Sequence, residues 1–245
     1  MKYLITGLVL NHFSGIVKTV FCSDKKNFGL CRPKEFVVKN SFGLRLRRSS
    51  GVPPHINIVG YPGSKKSSVA RSLAKRYGPA IWISRPNTRP QRMGEVYGQE
   101  YLFLTKKEYA ELEVAGKLWH TKTRIQGGVE FRKGTFVPKF WPEPTPETKL
   151  VISMFGPTRS AQIAREFAPN MTTVCLFGTD LVLLEKILER NAVDAGLHHR
   201  ETIRRYREAR IEEKFEHKMN TDRRTAEECA DWIAGILGLD QAIAA

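Results

Sequence analysis

The sequence predicts an α/β protein with a parallel β-sheet that is covered by helices on both faces. From residue 55 onward, short strand patterns alternate with helical patterns, as in a series of β–α–β units. The strands are almost continuously apolar, as in Val174-Cys175-Leu176-Phe177, which is typical of strands buried on both faces. A chain of 245 residues with 41% apolar side chains is long enough to build such a core.

Turn and capping residues divide the chain into elements. Gly78-Pro79 ends the first helix, and Thr105 with Glu108 forms a capping box that starts a helix before Gly116. The segment 86–147 is rich in Gly, Pro and aromatic residues and is predicted to be irregular or antiparallel. We predict strands over 55–60, 80–84, 149–155, 172–177 and 217–220. We predict helices over 67–77, 105–116, 158–167, 179–190, 200–216 and 225–237, and a loop over 191–199.

A glycine-containing loop with the sequence GYPGSKKS, Gly60–Ser67, joins the first strand to the first helix. In such a loop the backbone N–H groups bind polyphosphate, a lysine neutralises it and a serine hydroxyl binds Mg²⁺. Lys66 and Ser67 occupy the lysine and serine positions, whereas Lys65 departs from the pattern, which has glycine there. The predicted polyphosphate-binding residues are Gly60, Gly63, Ser64, Lys65, Lys66, Ser67 and Ser68.

A second loop, directly after the strand at 80–84, is predicted to bind a small phosphate. It carries Arg89 and Arg92 three residues apart between prolines and glycines, and Tyr101 follows. Guanidinium groups bind phosphate oxygens in a bidentate way, and a tyrosine hydroxyl supplies a further donor. A surface loop with scattered arginines remains an equally good interpretation of these residues alone.

The spacing in this second loop resembles the guanylate kinase family. The matching run is Thr88-Arg89-Pro90-x-Arg92-x-Gly94-Glu95-x-x-Gly98-x-x-Tyr101-x-Phe103, and the resemblance extends over residues 55–238. It implies a P-loop nucleoside monophosphate kinase fold over residues 53–245, with an inserted acceptor-binding subdomain over 86–147 and a helical lid over 191–200. It also implies ATP-dependent phosphorylation of GMP or dGMP to the diphosphate, with ATP and Mg²⁺ as cofactors.

The resemblance also assigns roles by position. The acceptor phosphate would be held by Arg89, Arg92 and Tyr101. Lys66 would neutralise the ATP phosphates, and Ser67 would bind Mg²⁺. The catalytic set would be Lys66, Arg190 and Arg205, where the two arginines stabilise the transferring phosphoryl group from the lid. The remaining positions are Ser84, His120 and Ser153 for the acceptor and Asn220 near the adenine of ATP.

The chain departs from the family around the acceptor. The strand at 149–155 has no carboxylate where the family has aspartates, and Ser153 is the nearest polar substitute. His120 falls near the glutamate that the family uses for guanine. A neutral imidazole accepts one hydrogen bond, whereas a carboxylate accepts from both guanine donors. Val129 and Phe131 fall where the family has a second tyrosine and small polar residues. We therefore expect an altered or broader base preference, and we would test Glu95 and Asp180 first as replacement carboxylates.

Two other classes of function remain open. A degenerate kinase-like domain could bind a nucleotide or a phosphorylated partner without turnover, which Lys65 and the missing carboxylates favour. A net charge of +15 also favours polyanionic partners, but no nucleic-acid recognition motif is present and we do not expect nucleic acid. No apolar run approaches the ~18 residues of a membrane span, so we expect no membrane partner. Monomer and homodimer both remain open, and His198 and His199 are interpreted as solvent-exposed lid residues.

Residues 1–52 are predicted to be a basic extension outside the kinase-like domain. Residues 1–50 contain ten Lys and Arg but only Asp24 and Glu35 as carboxylates, and they show no clear helical period. An organelle-targeting peptide and a small strand-rich appendage remain open, whereas a secretory signal is disfavoured because no small-residue cleavage site follows. Because the four cysteines are scattered, we expect a reducing compartment, either the cytoplasm or an organelle.

Overall fold

The structure, a computed structural model, describes residues 52–239 apart from 93, 127, 158–161, 164–165 and 190–192. Our interpretations of residues 1–51 and of Arg190 lie outside these ranges. In chain order the elements are β1 (His55–Gly60), α1 (Lys66–Tyr77), β2 (Ala80–Ile83), β3 (Arg85–Asn87), β4 (Tyr101–Phe103), α2 (Lys106–Val114), β5 (Leu118–Gln126), β6 (Val129–Phe136), β7 (Leu150–Ser153), β8 (Met171–Phe177), α3 (Asp180–Leu188), α4 (Val193–Glu208), β9 (His217–Asn220) and α5 (Ala226–Leu237).

A five-stranded parallel sheet forms the centre of the fold, in the order β2-β7-β1-β8-β9. Helices α1 and α5 pack on one face, where Val69, Leu73 and Ile233 meet Ile56 and Ile152 in a single apolar cluster. Successive residues of a strand point to opposite faces of the sheet. On the other face, Val59 packs with residues at the end of α4 and just after it. The parallel sheet covered on both faces, as predicted from the apolar strands, is therefore confirmed.

A second sheet of four strands, in the order β4-β3-β6-β5, occupies the segment that we expected to be irregular or antiparallel. Its β5–β6 and β3–β6 pairs are antiparallel, and β3 pairs with β4 in parallel. The predicted capping box of α2 is present, because Thr105 accepts from the Glu108 backbone N–H and the Glu108 carboxylate accepts from the Thr105 backbone N–H. The helix ends just before Gly116, which has a left-handed φ of 61°.

Two predicted boundaries around α4 were wrong. We predicted a loop over 191–199, but α4 begins at Val193, since this stretch contains no proline and only a single glycine to oppose a helix. We also predicted one helix over 200–216, but α4 ends at Glu208. Arg210 takes a left-handed φ of 44°, and a short 3-10 turn, Ile211–Lys214, follows with Ile211 buried against Val59.

Candidate active site

Two glycines allow the loop after β1 to pass close to its neighbours. Gly60 has a φ of 137°, and a Cβ there would overlap the carbonyl oxygen of Leu176 in β8. Gly63 has a φ of 82°, and a Cβ there would overlap the carbonyl oxygen of Leu183 in α3. Both positions need a positive φ and leave no room for a side chain, which explains why the loop has glycine at each of them.

Lys65 leaves the loop rather than crowding it. It is the N-cap of α1, with φ 57° and ψ 15°, the left-handed conformation that glycine adopts most readily. Its ammonium group donates to the backbone carbonyls of Thr221 at 2.9 Å and Arg224 at 2.7 Å, in the turn between β9 and α5. The side chain therefore points away from the phosphate-binding loop, and the two charged hydrogen bonds offset the backbone strain.

The serines and the second lysine of this loop are used differently. The Ser64 side chain is buried, and its hydroxyl donates to the Tyr61 carbonyl at 2.8 Å. Lys66 lies at the start of α1 and donates to the carbonyls of Gly60, at 3.1 Å, and Tyr61. Lys66 and Ser67 line a cleft of about 510 Å³, whereas Lys65 and Ser68 do not.

Tyr61 links this loop to the end of α4. Its ring is fully buried, and its hydroxyl donates to the carboxylate of Glu212. The guanidinium group of Arg207 lies 4.6 Å from the ring centroid and also pairs with Glu212 at 3.1 Å. Burial raises the pKa of the Tyr61 phenol, and the hydrogen bond to Glu212 raises it further, so the phenol stays a donor. The loop and α4 are thus connected through a buried polar group.

The cleft lies between the phosphate-binding loop, the four-stranded sheet, the segment after β7 and the helices α3 and α4. In the part of the chain that the structure describes, nine Lys and Arg side chains line it against a single carboxylate, that of Glu95. Clustered positive charge in a concave site attracts polyanions. The predicted residues Gly60, Gly63, Lys66, Ser67, Arg89, Arg92, Tyr101, His120 and Arg205 all line this cleft.

Glu95 organises the loop that carries Arg89 and Arg92, which we call the arginine loop. Its carboxylate accepts from both terminal nitrogens of Arg89, at 2.5 and 2.7 Å, and from the backbone N–H of Arg92 at 2.9 Å. Burial alone would raise the pKa of Glu95, but the bonds from Arg89 and Arg92 outweigh it and the pKa is lowered. The carboxylate is therefore committed to orienting Arg89, which also lies 5.1 Å from the ring centroid of Tyr101.

Tyr101 lies among three cations. Its hydroxyl oxygen accepts from Arg85 at 3.0 Å and from Lys133 at 3.1 Å. Burial would raise the pKa of the phenol, but Arg85, Lys133 and Arg89 together lower it to about 6. Burial lowers the pKa of Lys133 to about 8, with the Arg85 charge acting in the same direction. The Tyr101 shift, which opposes the effect of burial, indicates surplus positive charge at this point of the cleft.

Besides Ser64, Lys65 and Ser68, three further predicted residues do not line the cleft. The Ser84 hydroxyl donates to backbone carbonyls of the arginine loop, those of Gly98 and Gln99. Ser153 is buried in β7 and lies 2.9 Å from the His55 imidazole. Asn220 is exposed, and its side chain accepts from the Asp222 backbone N–H at 2.8 Å. Each side chain is occupied by another part of the protein, which sequence position alone does not reveal.

Helix α4 contributes more to the cleft than the one arginine that we predicted there. Arg205 lines the cleft from α4, and His199, Thr202 and Tyr206 line it as well. His199 is half-buried rather than solvent-exposed, so that expectation was wrong. The spacing 199, 202, 206 places these residues on one face of a helix, and the signal was missed because residues 191–199 were assigned to a loop.

Basic residues on the four-stranded sheet were also missed. Lys122 and Arg124 of β5 and Lys133 of β6 line the cleft, together with Arg85 of β3. The alternation His120-x-Lys122-x-Arg124 was visible in the sequence and places all three on one strand face. We assigned no strand there, so the pattern carried no meaning.

The residues present fit bound polyphosphate better than a protein-held metal. The two glycines shape a loop that a Cβ would fill, and Lys66 and Ser67 stand beside it. The two carboxylates that we considered as replacement ligands are engaged elsewhere, Glu95 by Arg89 and Asp180 by Arg207 at 3.0 Å. Among the described residues, no group of three His, Cys, Asp or Glu could hold a metal. Mg²⁺ would therefore depend on Ser67, phosphate oxygens and water.

By its fold and its phosphate-binding loop, the chain is an α/β protein of the P-loop NTPase kind. Guanylate kinase from Prochlorococcus marinus is 40% identical to it over 60 residues, 24% of this chain and 31% of that protein. Guanylate kinase from Nocardia farcinica is 35% identical over 78 residues, 32% of this chain and 39% of that protein. The chain is thus similar to guanylate kinases over these stretches, and it spans only about a third of the length of the curated relatives it matches.

Other comparisons add little. The crystal structure of guanylate kinase from Anaplasma phagocytophilum overlaps 76% of this chain and 85% of its own, with a TM-score of 0.48 and 16% sequence identity. No protein-family profile matches the sequence. No helix in the described residues is long and apolar enough to cross a membrane.

Proposed function

We propose that this protein is an ATP-dependent kinase that phosphorylates a phosphate-bearing acceptor, with a nucleoside monophosphate of the GMP type as the default. The bond between the γ-phosphorus of ATP and its bridging oxygen breaks, and an oxygen of the acceptor phosphate forms the new bond. ADP leaves, and the acceptor becomes a diphosphate. The chemistry requires in-line positioning and positive charge on the moving oxygens rather than a covalent intermediate.

One observation supports this proposal above the others. Lys66 and Ser67 of the phosphate-binding loop line the same cleft as Arg89, Arg92 and Tyr101. Two phosphate-binding groups that face one cavity suit transfer between two bound phosphates, whereas a simple nucleotide-binding protein needs a single group. Arg205 on α4 faces the same cavity and would act on the transferring group.

Each side chain has a role in this scheme. Lys66 would bind the β- and γ-phosphates, and Ser67 would bind Mg²⁺ together with phosphate oxygens and water. Mg²⁺ would neutralise charge on the ATP phosphates. Arg89, held by Glu95, and Arg92 would fix the acceptor phosphate, and Arg205 and Arg190 would stabilise the transferring group.

An assay of ADP formation with ATP, Mg²⁺ and each of GMP, dGMP, AMP, CMP, UMP and TMP tests the proposal. We expect turnover with at least one acceptor and a loss of roughly 100-fold or more in kcat for Lys66→Ala. Arg89→Ala should mainly raise KM for the acceptor. Lys75→Ala, an exposed lysine on the same helix, is the matched control and should be unchanged. A wild-type protein that consumes ATP with none of these acceptors would contradict the proposal, and activity with GMP alone would contradict an altered base preference.

A second candidate is binding of a nucleotide or a phosphorylated partner without turnover. The carboxylate pairings favour it, because Glu95 and Asp180 are both tied to arginines and Ser153 is buried. In that case wild type and Lys66→Ala would be equally inactive, yet the protein would still bind ATP or a phosphorylated ligand in a titration.

A further inference from the structure

One face of β5 carries a row of basic side chains. His120, Lys122 and Arg124 alternate along the strand, so they project from the same face, and all three line the cleft. Lys122 lies directly opposite Lys133 in the antiparallel β5–β6 pair. Like charges directly opposite each other across two strands are destabilising, so this arrangement favours a bound anion between them.

Tyr101 of β4 connects this row of basic side chains to Arg85 of β3. Arg85 and Lys133 donate to the same phenol oxygen, at 3.0 and 3.1 Å. The Arg85 Nε is buried and has no hydrogen-bond partner in the described part of the chain. A buried guanidinium N–H without an acceptor is costly, and a ligand oxygen would satisfy it. We name the four residues Arg85, Lys122, Arg124 and Lys133 the basic sheet cluster.

Among the described residues, no carboxylate balances the charges of Arg85, Lys122 and Lys133. In the described ranges, no ion pair joins Arg85, Lys122 or Lys133 to an acidic side chain, and the single carboxylate of the cleft, Glu95, is held by Arg89. The pKa of Tyr101, lowered to about 6 by Arg85, Lys133 and Arg89 against the effect of burial, reflects the same surplus of positive charge. A bound dianion would remove the surplus.

The cluster is additional to the residues that would hold the acceptor phosphate. Arg89 and Arg92 lie on the loop after β3, whereas the cluster lies on the strands β3, β5 and β6. A phosphate monoester presents three terminal oxygens, which the remaining donors of Arg89, Arg92 and Tyr101 can engage. Lys and Arg side chains only donate, so the cluster offers no acceptor to the N–H groups of guanine.

We propose that the acceptor carries a second phosphate group and that the basic sheet cluster binds it. The substrate class is then a small bisphosphorylated molecule, such as a nucleoside bisphosphate or a sugar bisphosphate. One phosphate lies at Arg89 and Arg92 and receives the γ-phosphoryl group, and the other lies on the sheet. This inference rests on the proposed kinase function for the fate of the first phosphate, but the binding of the second can be measured without turnover.

Calorimetric titration of the full chain without ATP tests the inference. The ligands are two matched pairs, AMP with adenosine 3′,5′-bisphosphate and fructose 6-phosphate with fructose 1,6-bisphosphate, all at one ionic strength of about 0.1 M. We expect at least one bisphosphate to bind ten-fold or more tightly than its monophosphate. The double variant Lys122→Gln/Arg124→Gln should lose most of that ratio.

A matched control separates local binding from overall charge. Lys106→Gln/Lys107→Gln removes the same two charges from exposed positions on α2, outside the cleft, and should keep the ratio. Equal binding of both members in both pairs would overturn the inference, as would a ratio that survives in the Lys122/Arg124 variant or falls equally in the control. Failure of the kinase function would appear separately: no ADP would form from ATP with either the monophosphates or the bisphosphates, while the binding ratio stayed unchanged.

Discussion

The ammonium group of Lys65 donates a hydrogen bond to the backbone carbonyl of Thr221, 156 residues further along the chain, at 2.9 Å. This contact joins the start of α1 to the turn between β9 and α5. It explains how a lysine can occupy a position where the phosphate-binding pattern has glycine. The backbone keeps the left-handed conformation, and the side chain is directed away from the cleft.

Replacement of Lys65 should separate backbone strain from the side-chain contacts. Lys65→Ala keeps the strained φ and loses both hydrogen bonds, so we expect the free energy of unfolding to fall by about 1–2 kcal/mol. Lys65→Gly loses the same bonds but relieves the strain, so it should be more stable than the alanine variant by about 1 kcal/mol. Urea unfolding measures both, and Lys75→Ala should lie within about 0.5 kcal/mol of wild type. Equal stability of the two Lys65 variants would argue against strain at this position.

Gly63→Ala should be far more damaging than Gly116→Ala. Both glycines have positive φ, 82° and 61°, so both substitutions carry left-handed strain of about 1 kcal/mol. A Cβ at position 63 would also overlap the Leu183 carbonyl oxygen, whereas a Cβ at position 116 meets no atom within 4 Å. We expect a difference in unfolding free energy of at least about 2 kcal/mol between the two variants, by thermal or urea unfolding. Similar losses would mean that α3 does not approach the loop closely.

The central sheet could be predicted because its strands are apolar runs of the right length, bounded by Gly, Pro and capping residues. The four-stranded sheet could not, because β5 and β6 are polar and lie beside the cleft. In β5, the alternation of His120, Lys122 and Arg124 with threonines and Ile125 has no apolar face. A strand whose partner is a ligand cavity rather than the core lacks the hydrophobic signal.

The candidate site was predictable where a motif fixes the backbone, and less so where tertiary contacts decide. Lys66, Ser67, Arg89 and Arg92 follow from loop sequences with characteristic spacing. The direction of Lys65 depends on a carbonyl at Thr221, and the burial of Ser153 depends on its neighbours His55 and Asn57 in β1. Contacts between residues so far apart in the chain have no local sequence signature.

Glu95→Gln should destabilise the arginine loop in a pH-dependent way. The carboxylate accepts three hydrogen bonds from Arg89 and Arg92, and the amide can replace only part of them. We expect a loss of about 1–3 kcal/mol at pH 7. Because the folded-state pKa of Glu95 is lowered, its contribution is complete above pH 4.5 and is lost as the pH falls through that lowered value. Wild type and variant should therefore converge only in acid.

The control for this series is Glu147→Gln, which replaces an exposed carboxylate between β6 and β7. This substitution should leave the free energy of unfolding unchanged at every pH. Urea unfolding from pH 3.5 to 8 gives the comparison. A difference between wild type and Glu95→Gln that stays constant down to the lowest pH would exclude the charged pair as its source.

Tyr101 should make anion binding weaken as the pH rises. Three cations lower its pKa to about 6, so we expect the phenol of the unliganded protein to ionise near that pH. A bound phosphate repels the tyrosinate and favours the neutral phenol, so binding takes up a proton between pH 6 and the pKa of the complex. In wild type the affinity for phosphate ligands, relative to that of Tyr101→Phe, should fall about three-fold or more from pH 6 to pH 8. The relative measure cancels the ionisation of the ligand itself.

Ultraviolet titration of the free protein measures the same ionisation directly. Wild type should show one tyrosine that ionises near pH 6, and Tyr101→Phe should lack this step. Tyr97→Phe, which removes an exposed tyrosine from the same loop, should retain it. Saturating phosphate ligand should move the step to higher pH, because the anion takes over the cations that stabilise the tyrosinate. A step that ligand does not move would mean that the anion binds away from Tyr101, and the assignment of the acceptor phosphate to this part of the cleft would then be wrong.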